Sequence, residues 1–190
     1  MGIYKTQENF KNEDFTTFDF EKAEFEECTF VNCNFSNTHL SGSIFSECTF
    51  ENCNLSMAQL QNTAFQNIEF KNCKLIGLPF DECNPFLLSF AFYGCILSFS
   101  SFHKLKIKNT HFSNCKMEEV DFSSSELSNA VFHECDLNGA IFENTNLEKA
   151  DLSTAFHFSI EPDLNNIKKA KFSIRNVSGL LNKYNIQITD

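Results

Sequence analysis

Phe or Leu occupies every fifth position between Phe10 and Phe80, without exception. An α-helix repeats about every 3.6 residues and a strand about every two, so a period of five fits neither. A short, unbroken repeat of this kind is typical of a solenoid, in which each unit packs on the next. The periodic positions are Phe10, Phe15, Phe20, Phe25, Phe30, Phe35, Leu40, Phe45, Phe50, Leu55, Leu60, Phe65, Phe70, Leu75 and Phe80.

A second apolar position lies two residues before each of these central residues. It is usually small, as at Ala23, Cys28 and Cys33, whereas the other three positions are mostly polar. We therefore expect two side chains of each unit to point inward and three outward. This arrangement requires a turn every five residues.

In addition to the period of five, identical residues recur at a spacing of twenty. Asn12, Asn32, Asn52 and Asn72 follow it, and so do the cysteines at 33, 53 and 73. Four units would then form one coil, and successive coils would stack about 4.8 Å apart, as neighbouring strands do. The spacing predicts a four-sided coil with like side chains in columns.

The register shifts once. After Phe80 the next central residue is assigned to Leu87. Pro79 and Pro85 flank the shift, and because Pro cannot donate to a strand ladder, we expect a small loop over residues 81–86. Phe86, Phe90 and Phe99 count as apolar extras near it. The new register continues through Phe92, Leu97, Phe102, Ile107, Phe112, Met117, Phe122, Leu127, Phe132, Leu137, Phe142, Leu147, Leu152 and, after an irregular stretch, Phe172.

The chain therefore divides into a lead-in over residues 1–7, a solenoid over 8–172 and a tail over 173–190. In the tail, the apolar residues Val177, Leu180, Leu181 and Tyr184 have the spacing of one helical stripe. Ile186 and Ile188 then alternate like a short strand. Two roles remain open for this segment: a cap over the last coil, or the contact of a homodimer formed through the C-terminal end.

The repeat resembles that of the pentapeptide repeat proteins, whose loose consensus is A-[DN]-L-x-x. The stretch from Ala150 to Thr154 fits it fully, and Cys33 to Asn37 and Cys53 to Met57 fit with Cys as the small residue. The resemblance implies an all-β fold, a right-handed quadrilateral parallel β-helix, with a short C-terminal helical cap. It also implies a non-enzymatic scaffold for protein–protein interaction.

The cysteines and histidines give no sign of catalysis or of a metal site. All nine cysteines fall in the small inward slot, where a reduced thiol packs as a small apolar group. The five histidines lack the spacing of metal ligands or of a catalytic pair, and no phosphate-binding or nucleophile motif occurs. We expect no enzyme activity, no catalytic residues, no metal and no cofactor.

The formal net charge of −10 makes free nucleic acid and anionic membranes poor partners. The sequence has no apolar run long enough to span a bilayer and no pattern of a secretion signal. We expect a cytoplasmic protein that binds neither membranes nor nucleic acid directly.

Acidic residues crowd two parts of the sequence, and ten of them are candidates for a partner surface. A surface for an unknown protein partner is one interpretation. The other interpretation is a DNA mimic that binds DNA gyrase or topoisomerase IV, as the quinolone-resistance branch of the pentapeptide repeat proteins does. Acidic groups on one side of the rod would favour the mimic, and mixed charges on every side the scaffold. The candidates are Glu24, Glu26, Glu27, Glu47, Glu118, Glu119, Asp121, Glu134, Asp136 and Glu143.

Overall fold

The computed structural model describes residues 3–189 and shows an all-β chain wound as a parallel solenoid. Each strand pairs with a strand one coil further along the chain, as Phe10 does with Phe30 and Phe30 with Phe50. The strands are β1 (Tyr4–Thr6), β2 (Asn9–Lys11), β3 (Glu24–Glu26), β4 (Thr29–Val31), β5 (Ile44–Ser46), β6 (Thr49–Glu51), β7 (Ala64–Gln66), β8 (Ile68–Lys71), β9 (Phe90–Tyr93), β10 (His111–Ser113), β11 (Val131–His133), β12 (Asp151–Leu152) and β13 (Lys171–Phe172).

The coil has four sides, which confirms the predicted quadrilateral. Face 1 begins with the four-stranded sheet β1-β3-β5-β7, and face 2 is a nine-stranded sheet from β2 to β13. Within face 3 and within face 4, successive coils are joined by single parallel bridges. Examples are Asn34 with Asn54 on face 3 and Ser101 with Asp121 on face 4. The central residues begin with Lys5, Phe25 and Phe45 on face 1, Phe10, Phe30 and Phe50 on face 2, Phe15, Phe35 and Leu55 on face 3, and Phe20, Leu40 and Leu60 on face 4.

Two side chains of each regular unit are buried, as the sequence pattern predicts. In the unit around Phe50, both Phe50 and Cys48 are buried. In most units the residue two after the centre forms the corner and has a positive φ, as at Asn32 (φ 55°) and Asn52 (φ 53°). Asn tolerates this left-handed conformation better than most residues, which explains the column of Asn at spacing twenty.

Stacked Phe rings run along face 2 beneath the sheet. The six consecutive ring pairs have centroid distances between 4.7 and 5.4 Å. The column continues across the change of register. Its members are Phe10, Phe30, Phe50, Phe70, Phe92, Phe112 and Phe132.

The prediction for Leu87 as a central inward residue was wrong, because its side chain is 63% exposed. The coil that contains it has 22 residues, since Ile68 pairs with Phe90. A single turn of 3-10 helix, Phe80–Glu82, opens the loop. Phe90 is buried and packs against Phe80 with ring centroids 5.1 Å apart. The larger Phe90 side chain therefore fills interior space that the pattern had assigned to Leu87.

The solenoid begins earlier than Glu8. Lys5 lies in β1 and pairs with Phe25, so it takes a central position in the first coil. Its ammonium group contacts Glu8 at 3.1 Å. Charged side chains at the end of a sheet discourage pairing with another chain, so this end is protected against stacking. Met1 and Gly2 of the predicted lead-in lie outside the described residues.

The tail differs from the predicted α-helix and strand. Val177–Leu180 and Asn182–Tyr184 are two short 3-10 helices, and residues 185–189 form no strand. Gly179 packs so closely on the last coil that a Cβ there would lie 2.7 Å from the Phe158 ring. Asp190 lies outside the described residues. Between residues 3 and 189, no helix has the length and apolarity to cross a membrane.

Candidate functional site

The thiols are part of the core. Six of them form one unbroken column at the start of face 3, and each S–H points at backbone carbonyls. The Sγ atoms of Cys53 and Cys73 lie 3.3 Å from the carbonyl oxygens of Phe30 and Phe50. Buried thiols that donate to carbonyls are poor nucleophiles. The column is Cys33, Cys53, Cys73, Cys95, Cys115 and Cys135.

The next possibility is a metal-binding cluster among the titratable side chains of residues 3–189. Among the described residues, no three His, Cys, Asp or Glu side chains are placed to hold a metal ion. His157, five residues after the central Leu152, is exposed, and its Nδ1 lies 2.9 Å from a carboxylate oxygen of Asp136. Its neighbour Phe158 is buried instead. The surface with functional potential is therefore made of the outward side chains of the four faces.

The candidate acids of the N-terminal half lie on face 1 and its edge. Glu24 and Glu26 flank the central Phe25 on face 1. Glu27 and Glu47 are successive residues of the corner column between faces 1 and 2. Gln7 donates to Glu27 at 2.7 Å, and none of the four glutamates has an ion-pair partner among residues 3–189.

The candidate acids of the C-terminal half lie on other sides of the rod. Glu118 and Asp136 are on face 3, and each has a basic neighbour: Lys116 at 3.6 Å from Glu118, and His157. The remaining four are spread over two corners and face 4. Glu134 is at the corner between faces 2 and 3, Glu119 at the corner between faces 3 and 4, and Asp121 and Glu143 on face 4.

The ten candidates thus do not form one surface, since face 1 and face 3 are opposite sides of a four-sided coil. Nearness in sequence was the wrong criterion for grouping them. Position within the coil is the correct one, because residues twenty apart, or 22 across the long coil, stack in one column.

Sorting by coil position reveals a more acidic side. Among the residues that the structure describes, face 4, taken with its corner to face 1, carries eight carboxylates and only two lysines, Lys22 and Lys104. Asp121 and Glu143 were recognised from the sequence and the other six were missed. The eight are Asp19, Glu21, Asp81, Glu82, Asp121, Glu143, Glu161 and Asp163.

The other faces carry both signs of charge. Face 1 is acidic near its N-terminal end but basic further along, and face 3 combines Glu118 and Asp136 with Lys74 and Lys116. Most of the positive charge of face 1 comes from five lysines of the later coils. These are Lys106, Lys108, Lys149, Lys168 and Lys169.

Local contacts modify the charge of face 4 at one end. Lys183 of the tail binds Asp163 and also lies 3.8 Å from Glu161. The hydrogen bond to Asp163 raises the pKa of Lys183, so this ammonium group stays protonated. Asp121 accepts a hydrogen bond from the backbone N–H of Ser123 at 2.7 Å. Within the described chain, Asp121 and Glu143 have no ion-pair partner.

The four predicted contact residues of the tail separate into two pairs. Leu180 packs against the core, and Leu181 is half-buried. Val177 and Tyr184 are exposed. Further exposed apolar side chains surround them at this end of the rod. These are Leu164, Ile174, Ile186 and Ile188.

Comparison with known proteins gives two kinds of match. A family model described as "Pentapeptide repeat region" matches residues 23–90 and 87–155. No curated protein matches the sequence.

Two solved structures share the fold of this chain. Two trypsin-treated structures of QnrB1, a plasmid-mediated fluoroquinolone resistance protein, superpose with a TM-score of 0.64. They are 19% and 20% identical to this chain, cover 98% and 100% of it, and are each matched over 100% of their own length. HetL, a pentapeptide repeat protein involved in heterocyst differentiation regulation from the cyanobacterium Nostoc sp. strain PCC 7120, is 17% identical, with 90% of this chain and 85% of HetL covered and a TM-score of 0.45.

Proposed function

This chain belongs to the pentapeptide repeat family, and from that premise we propose that it is a non-enzymatic scaffold that binds another protein through face 4. The observation that carries this proposal is the excess of eight carboxylates over two lysines on that face. The partner surface would be basic, since complementary charge steers association and excludes wrong partners. The cysteines, which are buried, support a role in packing the core rather than in catalysis.

A capture experiment with matched charge variants tests this proposal. The variant Asp121→Asn/Glu143→Gln removes two charges from face 4. The control, Glu24→Gln/Glu26→Gln, removes two charges from face 1. We expect captured partners to be depleted at least tenfold by the face 4 variant and retained by the control. Equal recovery with both variants would contradict a role for face 4.

A second candidate is a DNA mimic that binds a type II topoisomerase, DNA gyrase or topoisomerase IV. The predominance of negative charge along one face of a narrow rod favours the mimic, and the fold shared with QnrB1 supports it. The nine strands of face 2 correspond to a rod about 40 Å long, so face 4 carries roughly one carboxylate per 5 Å. One DNA strand carries a phosphate about every 3.4 Å. The region between His39 and Asn62 has no carboxylate on face 4, which weakens the likeness to DNA.

A supercoiling assay with purified gyrase separates the two candidates. The protein is titrated with and without a fluoroquinolone, and the two double variants are tested beside it. Inhibition, or rescue from the drug, that the face 4 variant loses and the face 1 control keeps would support the mimic. An unchanged reaction over a wide concentration range would exclude gyrase as the partner and leave the scaffold.

We also propose a homodimer formed through the C-terminal end, supported by the exposed apolar side chains there. Ile174 is 94% exposed, and Ile188 and Tyr184 are exposed by 59% and 56%. Leu180, in contrast, packs against the core and would serve as part of a cap over the last coil. Nine free thiols suit a reducing compartment, so we place the protein in the cytoplasm.

A further inference from the structure

Large apolar residues are rare at the left-handed corners of this coil. Among the described non-glycine residues with positive φ, the aliphatic or Phe side chains are Met57 (φ 60°), Leu87 (φ 56°) and Phe99 (φ 62°). Most of the other corners carry Asn, Glu or Lys. A bulky side chain is unfavourable in this conformation, and an exposed apolar one gains nothing from burial. Such residues point to function rather than to stability.

Met57 and Phe99 belong to one column, with Gly77 between them. The backbone N–H groups of Met57, Gly77 and Phe99 each donate to the coil that follows, to the carbonyls of Ile76, Ser98 and Glu118 at 2.9 Å. Met57 is 59% exposed and Phe99 is 56% exposed. Two coil spacings separate them, about 10 Å.

Gly77 makes a gap between these two side chains, which we call the notch (Met57, Gly77 and Phe99). A Cβ at Gly77 would lie 2.6 Å from the sulfur of Met57, so the methionine lies across the glycine. An unbranched methionine side chain can move aside at little cost. The notch can therefore widen to accept one apolar side chain between Met57 and Phe99.

Acidic groups border the notch on its C-terminal side. Glu119 is the next residue of the same corner column after Phe99, and its backbone N–H donates to Asn138 at 2.9 Å. Asp121 follows it on face 4. Glu119 and Asp121 have no ion-pair partner in the described part of the chain. The lysines of face 3 lie towards its other edge, and one of them, Lys116, contacts Glu118.

We propose that the notch binds one large apolar side chain of a partner protein that carries Lys or Arg beside it. The apolar side chain would enter between Met57 and Phe99, and the basic group would meet Glu119 and Asp121. A central apolar anchor with charged residues at its edge is the usual arrangement of an interface hot spot. This inference rests on the proposed scaffold function and identifies the chemistry of the partner.

Methionine methyl NMR gives a direct test, because residues 3–189 contain two methionines, of which Met57 borders the notch and Met117 is buried in the core. The probe is the synthetic peptide Lys-Lys-Phe-Lys-Lys, with blocked ends, added to protein labelled with ¹³C at the methionine methyl groups. We expect a saturable shift of the Met57 signal, whereas the buried Met117 stays unchanged. The peptide Lys-Lys-Ala-Lys-Lys and the variant Phe99→Asn should each weaken binding at least tenfold.

An unchanged Met57 signal, or equal responses to the two peptides, would overturn the proposal. The proposal would also be overturned if, without peptide, the Met57 signal shifted with protein concentration. The notch would then be occupied by a second copy of this chain. Failure of the notch is distinguishable from failure of the scaffold function. If the partner no longer binds the face 4 variant but still binds Phe99→Asn, only the notch proposal is contradicted. If the partner still binds the face 4 variant, the proposed function itself is contradicted.

Discussion

Phe92 stacks on Phe70 with ring centroids 5.4 Å apart and ring planes inclined by 9°. The two residues are separated by 22 positions, yet β9 pairs with β8 in the same alignment as the other strands of face 2. The extra residues lie between faces 4 and 1, where Phe86 and Leu87 face solvent. The strand pairing of face 2 is therefore unchanged across the 22-residue coil, and the Phe column of this face spans both halves of the rod.

The centre of this column should be the most sensitive part of the core. Phe50 is fully buried, and its ring stacks on Phe30 at 4.7 Å and on Phe70 at 5.1 Å. We expect Phe50→Ala to lower the free energy of unfolding by about 3–5 kcal/mol. Phe50→Asp should prevent folding, since the core offers no partner for a buried carboxylate. Urea denaturation followed by circular dichroism measures both effects.

Asn52→Ala is the matched control, because it lies at an exposed corner two residues away. Its φ of 53° favours Asn, so a cost of about 1 kcal/mol is expected. Similar losses at positions 50 and 52 would contradict the assignment of two inward and three outward side chains.

The regular part of the fold was predictable from sequence because each inward side chain repeats at a fixed interval. The long coil was not, since its residue count changes by two and several apolar side chains compete for the interior. Leu87 continues the sequence pattern, but Phe90 pairs with the buried Ile68 and therefore points into the core. Periodicity alone cannot rank these two residues.

The surface and the tail were less predictable for different reasons. Acidic side chains were grouped by nearness in sequence, which missed Asp81 and Glu161 on face 4. In the tail, the apolar spacing indicates an α-helix, in which a glycine such as Gly179 is unfavourable. Gly179 is instead required by its contact with Phe158, and that contact could be seen only after folding.

Met57→Asn and Phe99→Asn should each stabilise the protein. Both residues hold a left-handed conformation while more than half exposed. Asn adopts this conformation more readily, so each change should raise the free energy of unfolding by about 0.5–1 kcal/mol. Chemical denaturation of the single and double variants checks this. A loss of stability in either single variant would show that these side chains serve the fold rather than a partner.

Alkaline pH should destabilise the fold through its buried thiols. Burial raises the pKa of the Cys48 thiol to about 12, from an ordinary value of 9.0. Between these values the folded state holds a proton that the unfolded chain has lost, so stability is complete below pH 9 and falls as the pH rises. The expected contribution is about 1.4 kcal/mol per pH unit for this thiol.

Cys48→Ala provides the comparison for this effect. Denaturation at several pH values between 9.5 and 11 should give a slope smaller by about 1.4 kcal/mol per pH unit in the variant. Burial also raises the pKa of Cys28 and Cys33, so part of the pH dependence should remain. Identical slopes in the variant and the original chain would show that Cys48 does not titrate with unfolding.

The exposed apolar side chains of the tail should determine self-association. Ile174 is 94% exposed, and a charge there would be placed within the proposed dimer contact. We expect Ile174→Glu to convert the dimer to a monomer in sedimentation velocity experiments at micromolar concentration. Phe86→Glu is the control, because Phe86 is 68% exposed in the loop of the 22-residue coil, several coils before the tail. A monomeric original chain would contradict the dimer and leave the tail as a cap. A dimer that tolerates Ile174→Glu but not Phe86→Glu would place the contact elsewhere.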